Sequence, residues 1–124
     1  MKYLCMAYEE ERILNDLTRE EWAVLRKETL DYVEKLREKG VLLAAEPLQS
    51  AKNAVTVRIR GGALSVTDGP FAETRETLGG YFLVEARDQG EAVRIASAWP
   101  SARFGSIEVR QVADGLNEER RYEA

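Results

Sequence analysis

Hydrophobic and polar positions recur along this chain at two periods, and the switches between them mark its elements. From Lys2 to Tyr8 side chains alternate as in a strand, with Tyr3, Cys5 and Ala7 on one face and Leu4, Met6 and Tyr8 on the other. Both faces are apolar. A polar stretch then ends at Leu17-Thr18-Arg19-Glu20-Glu21-Trp22, where Thr18 and Glu21 have capping-box spacing and Leu17 with Trp22 that of a hydrophobic staple. A helix is predicted from there: Trp22, Leu25, Thr29, Tyr32, Val33 and Leu36 fall in one stripe, and Gly40 supplies the stop. On its charged outer face Asp31 and Lys35 have the spacing of an ion pair.

Val41 to Ala45 reads as a second strand, closed by Glu46-Pro47. Val55, Val57 and Ile59 alternate with Thr56, Arg58 and Arg60, the pattern of a strand buried on one side, and Gly61-Gly62 turns it into a hairpin over residues 54–67. After a polar loop from Asp68 to Thr77, Gly79 to Ala86 returns to strand, with Tyr81 and Leu83 opposite Phe82 and Val84. Asp88 and Glu91 open a second helix whose inner face is Ala92, Ile95, Ala96 and Trp99, and Pro100 ends it. A last strand, Ser106 to Val112, sets Ile107 and Val109 against Glu108, Arg110 and Val112. The prediction is one α+β domain over residues 1–113 and a loose polar tail over 114–124.

This order suits a ferredoxin-like antiparallel sheet with two helices on one face. Two helices cover only one face, yet the first strand and the Tyr81 strand are apolar on both. A partner chain stacking sheet against sheet would cover the second face, so the expected state is a symmetric homodimer.

Composition narrows the chemistry. The 124 residues carry 18 Lys and Arg against 22 Asp and Glu, a net charge of -4 that argues against nucleic acid as a partner. No apolar run has the length of a membrane span, and the N-terminal residues lack a secretory leader's apolar core, so a cytoplasmic location is expected. One cysteine, Cys5, cannot close an internal disulfide. Histidine is absent, which removes Ser-His-Asp and Cys-His mechanisms and His-based metal sites and calls for no metal or other cofactor. Any acid–base work falls to carboxylates, Lys, Tyr or Cys5.

Two segments carry a resemblance. Asp68-Gly69-Pro70-Phe71-Ala72-Glu73-Thr74-Arg75-Glu76, followed by Leu78-Gly79-Gly80-Tyr81-Phe82, resembles the signature of the DGPF branch of the YCII-related domain proteins, and Pro100 to Arg110 is similar to the block that closes that family. The resemblance implies a ferredoxin-like protomer that dimerises into an α/β barrel. It also implies an acid–base pair, a His on the first long helix and an Asp just before the Pro after the second; here those positions hold Thr29 and Trp99, which cannot ionise. For Thr29 the structural reading is a hydroxyl bonded to the preceding turn's carbonyl; for Trp99 and Cys5 it is core packing, and for Tyr81 a place in the core of the barrel with its hydroxyl satisfied.

The site residues that follow are Asp68 as the catalytic candidate and Glu73, Arg75, Arg103, Glu108 and Arg110 as substrate-binding candidates, with Glu76 beside them. Together they would line a cleft at the sheet's end or the dimer seam, where desolvation raises a carboxylate's pKa and an Arg fork receives a carboxylate or phosphate. The structural alternative makes Asp68-Gly69-Pro70 a turn closed by an Asx bond, and Arg103, Glu108 and Arg110 a cross-strand salt-bridge ladder. The functional expectation is a protein that binds or transforms a small polar molecule. The alternative is a regulatory accessory protein, since DGPF-type proteins are often encoded beside extracytoplasmic-function sigma factors.

Overall fold

The computed structural model describes residues 1–113, 115–116 and 119–122. Part of the predicted tail, 114, 117, 118, 123 and 124, lies outside the described residues. Six strands and three helices follow in the order β1 (Lys2–Glu9), α1 (Glu11–Asn15), α2 (Arg19–Glu38), β2 (Leu42–Pro47), β3 (Val55–Arg60), β4 (Ala63–Asp68), β5 (Thr77–Glu85), α3 (Gln89–Ser97) and β6 (Gly105–Gln111). Short 3-10 turns at Ala51–Asn53 and Pro100–Phe104 lead into β3 and β6.

Four strands form one antiparallel sheet in the order β2-β5-β1-β6, the ferredoxin-like arrangement. Its helix-covered face is the core. Tyr3, Cys5 and Ala7 of β1 and Phe82 and Val84 of β5 are buried there with Ala92 and Ala96 of α3. Trp99, just past α3, stacks on Phe82 at 4.0 Å between ring centroids, and Tyr32 of α2 meets the indole edge-on at 6.0 Å. The Tyr32 hydroxyl is satisfied by the Ile95 carbonyl at 2.7 Å.

The helix ends follow their sequence signals. Thr18 accepts from the Glu21 amide at 3.1 Å while the Glu21 carboxylate accepts from the Thr18 amide at 2.9 Å, a complete capping box, and Asp88 caps α3 through the Glu91 amide at 2.8 Å. Leu25 and Leu36 are buried as the stripe predicts, but Trp22 is half exposed. Asp31 pairs backwards with Lys27 at 2.9 Å rather than forwards with Lys35. The five-residue α1 went unpredicted because it is mostly polar and buries no side chain.

The opposite face of the sheet carries Leu4, Met6 and Tyr8 beside Leu83, Tyr81 and Leu78, all short of full burial. On its other flank these β1 residues pair with Arg110, Glu108 and Ser106 of β6. A register shift between Ala7 and Tyr8 lets Gly79 sit close to the Glu9 carboxylate; a Cβ there would fall 2.5 Å from Oε2.

The hairpin corrects the expectation of a strand buried on one side. β3 and β4 pair only with each other, turning at Gly61 and Gly62, both at positive φ. Val57 faces Val66 and Ile59 faces Leu64 across the ladder. With Val55 these residues form an apolar face, yet each is between 57% and 66% exposed, because the hairpin is inserted between β2 and β5 and projects from the sheet instead of joining it. The alternation correctly marked a one-sided strand; the protomer supplies nothing to bury that side.

Candidate functional site

Where the open face of the sheet meets the base of the hairpin lies a cleft of about 950 Å³. The ends of three strands of the main sheet and the two loops flanking the hairpin build it. Tyr8, Leu78, Ser106 and Glu108 come from the sheet, Val55 and Thr56 from the start of β3, and Pro70, Phe71, Thr74 and Glu76 from the loop after β4. The volume lies in the range of small-molecule sites, and the lining mixes apolar walls with a few polar groups, as such sites do.

Local bonding explains how the loop after β4 reaches the cleft. Gly69, at φ +98°, turns the chain, its amide donating to Ala54 O at 2.7 Å while its carbonyl accepts from Thr56 Oγ1 at 2.8 Å. Arg58 Nη2 donates to Phe71 O at 3.1 Å, so β3 holds the loop down. The expected Asx bond is not what closes this turn: among the described residues nothing hydrogen-bonds the Asp68 side chain, and backbone pairing plus Thr56 does that work. Further on, Ser106 Oγ donates to Glu76 Oε1 at 2.9 Å, tying the end of the loop to β6 inside the cleft.

The sequence-predicted site residues do not all converge. Glu108 and Glu76 line the cleft, and Pro70 and Phe71 of the quoted motif line it with them. Asp68, the last residue of β4, and Glu73 and Arg75, on the loop that follows, are exposed but outside the lining, and among the described residues their side chains make no hydrogen bond or ion pair. Arg110 pairs with Glu108 along one strand, two residues apart, rather than in a cross-strand ladder. Arg103 lies elsewhere: it grips Glu28 of α2 through both guanidinium nitrogens, at 2.8 and 3.2 Å, fixing the turn before β6 to that helix and holding the Glu28 carboxyl below its ordinary pKa.

Thr29 and Trp99, where the resemblance would put an acid–base pair, have structural roles. Thr29 Oγ1 donates to Leu25 O at 2.8 Å, one helical turn back, and Trp99 is core. Cys5 is fully buried, and desolvation pushes its thiol up to about 11, which leaves it protonated and inert at neutral pH.

Two acids escaped the sequence reading. Glu9 continues the inward-facing series of Tyr3, Cys5 and Ala7, and burial raises its carboxyl pKa; a hydrogen bond from Ser101 opposes that rise and the charge of Glu11 adds to it. Glu11 accepts from the Ala51 amide at 2.9 Å and from Thr77 Oγ1 at 3.3 Å, and hydrogen bonds, first that of Ser50 and then that of Ala51, lower its pKa. Glu11 thereby pins the turn that carries Ser50 and Ala51, which form one wall of the cleft. Extending the period-2 pattern by one step to Glu9 would have flagged an acid on a buried face. Among the described residues no group of three or more Cys, Asp and Glu side chains is arranged to hold a metal ion.

The sequence pattern of the YCII-related domain matches residues 1–115. The chain belongs to that family. An uncharacterised protein of Rhizobium meliloti (strain 1021) is 33% identical over 115 residues, which is 91% of this chain and 93% of that protein. Among solved structures, the 5-chloro-2-hydroxyhydroquinone dehydrochlorinase of Burkholderia phenoliruptrix AC1100, in complex with 2,5-dihydroxybenzoquinone, superposes with a TM-score of 0.50 at 18% identity, covering 93% of this chain and 96% of that one. At that identity the likeness is one of fold, a mixed α+β domain with an antiparallel sheet. No helix among the described residues is long and apolar enough to cross a membrane.

Proposed function

We propose that this YCII-related chain is a DGPF-branch member that works as a homodimer and holds a small polar molecule in the cleft between the open sheet face and the hairpin base, without a metal. The observation that carries the reading is the cleft itself. It offers two aromatic rings, Tyr8 and Phe71, hydroxyls at Thr56, Thr74, Thr77 and Ser106, and two carboxylates, Glu76 and Glu108, with no Lys or Arg among the described lining residues. Such a lining favours a neutral or positively charged ligand with hydrogen-bond donors over an anion, because Glu76 has no cationic partner among the described residues, whereas Glu108 is paired with Arg110. Any proton transfer would fall to these carboxylates, of which Glu76 is already hydrogen-bonded to a hydroxyl. Asp68 at the end of β4, with Glu73 and Arg75 on the loop that follows, would act at the cleft mouth or across the dimer seam.

Native mass spectrometry of freshly purified protein tests this reading, because it reports oligomeric state and retained ligand together. A dimer with reproducible added mass is expected, and thermal-shift screening should then show amino-phenols stabilising the protein more than matched carboxy-phenols. A dimer that retains nothing and responds to neither set overturns the binding reading; a co-purifying sigma factor would replace it with a regulatory one.

A further inference from the structure

The β3–β4 hairpin has one apolar face and one polar face, and neither joins the main sheet. Val55, Val57, Ile59, Leu64 and Val66 make the first; Thr56, Arg58, Ser65 and Thr67 make the second. Five aliphatic side chains exposed to this degree leave on the order of 500 Å² of apolar surface, at the upper end for a patch on a monomer. A standard interface buries roughly 800 Å² per partner. The hairpin face supplies more than half of that, and the partly buried Leu4, Met6, Tyr81 and Leu83 of the open sheet face add apolar surface to it.

We propose that the hairpin is an intersubunit arm: its apolar face docks on a second copy of this chain, extending the contact made by the open sheet face and closing the cleft beneath it. The inference rests on the homodimer reading above and adds the surface that makes it. A second copy is the occupant because the exposed apolar area of the arm, added to that of the open sheet face, reaches what a stable interface takes from one partner, and a two-fold contact uses the same patch of both chains. Arg58 and Arg60, both on β3, place like charges along that strand, which opposes pairing of two arms edge to edge. Val55, Thr56 and Phe71 belong to the base of the arm and also to the cleft lining, so docking of the arm fixes one wall of the ligand site.

Sedimentation equilibrium on the wild type, the double variant Val57→Glu/Val66→Glu and the polar-face control Ser65→Glu tests the proposal, with far-UV circular dichroism confirming that each protomer is folded. The expected result is a wild-type dimer, a control that stays dimeric, and a double variant whose dimer dissociates at least 100-fold more readily. Should the double variant fail to fold, a benzophenone photocrosslinker at Leu64 in the otherwise wild-type chain gives the same information, since crosslinks between chains are expected. A wild-type dimer whose double variant remains dimeric, or whose Leu64 crosslinks stay within one chain, overturns the arm and leaves the homodimer standing. Leu64 crosslinks to a different protein overturn the arm as well, and a wild-type monomer overturns both.

Discussion

The two faces of the four-stranded sheet are built from the same strands, yet they end in different states. Toward the helices, Cys5, Phe82 and Val84 are fully buried, and Trp99 and Tyr32 complete an aromatic stack over them. One residue along in each strand, Met6, Tyr81 and Leu83 remain partly exposed, and the hairpin beyond them presents a bare aliphatic face. Alternation along a strand states that both faces want cover; it does not state whether the cover comes from the same chain. Here the helices answer for one face, and a second copy answers for the other in the account given above.

The sharpest way to break the contrast is to truncate neighbours that point in opposite directions. Phe82→Ala removes a fully buried ring and its stack on Trp99, and should cost about 3–5 kcal/mol in urea unfolding. Tyr81→Ala, on the open face, should cost the protomer far less and act instead on dimer dissociation. Equal losses for the two would mean that the faces do not differ as described. Next in size is Gly105→Ala: a Cβ there would collide with the Tyr8 backbone carbonyl where β6 enters beside β1, and a loss of about 2–3 kcal/mol is expected from the same measurement.

Much of this architecture was legible in the sequence, because its signals are local. The capping box at Thr18 and Glu21, the Asp88 cap, the glycine turn at Gly61-Gly62 and the doubly apolar strands all depend on near neighbours, and all stand in the structure. What failed to read depends on distance. Nothing near Arg103 in sequence points to Glu28, 75 residues away, and nothing near Val57 says that the hairpin leaves the sheet. The site was half legible for the same reason. The motif loop does reach the cleft, through Pro70, Phe71 and Glu76, but its most conspicuous ions, Asp68 and Arg75, stay outside the lining, while Ser106 and Tyr8 arrive from strands that read as scaffold.

Smaller effects sharpen the picture of the covered face. The Cys5 thiol is raised from an ordinary value of 9.0 to about 11, so above pH 9 the unfolded chain releases a proton that the folded chain retains. Stability from this group is therefore fully present below pH 9 and is lost as pH rises towards 11, and pH-dependent urea titrations should show that decline, absent in Cys5→Ala. In native protein at pH 8 the thiol should react with Ellman's reagent only after unfolding. Smallest is Thr18→Ala, which removes one half of the capping box of α2 and should cost about 1 kcal/mol without altering dimerisation.

The central claim is that one face of the sheet is covered within the chain and the other between chains. Hydrogen exchange measured by mass spectrometry at high and low protein concentration tests it directly. The account predicts that amides of α2 and α3 keep their protection on dilution, whereas residues 55–67 lose protection as the dimer dissociates. Protection of the hairpin that does not change with concentration would contradict it.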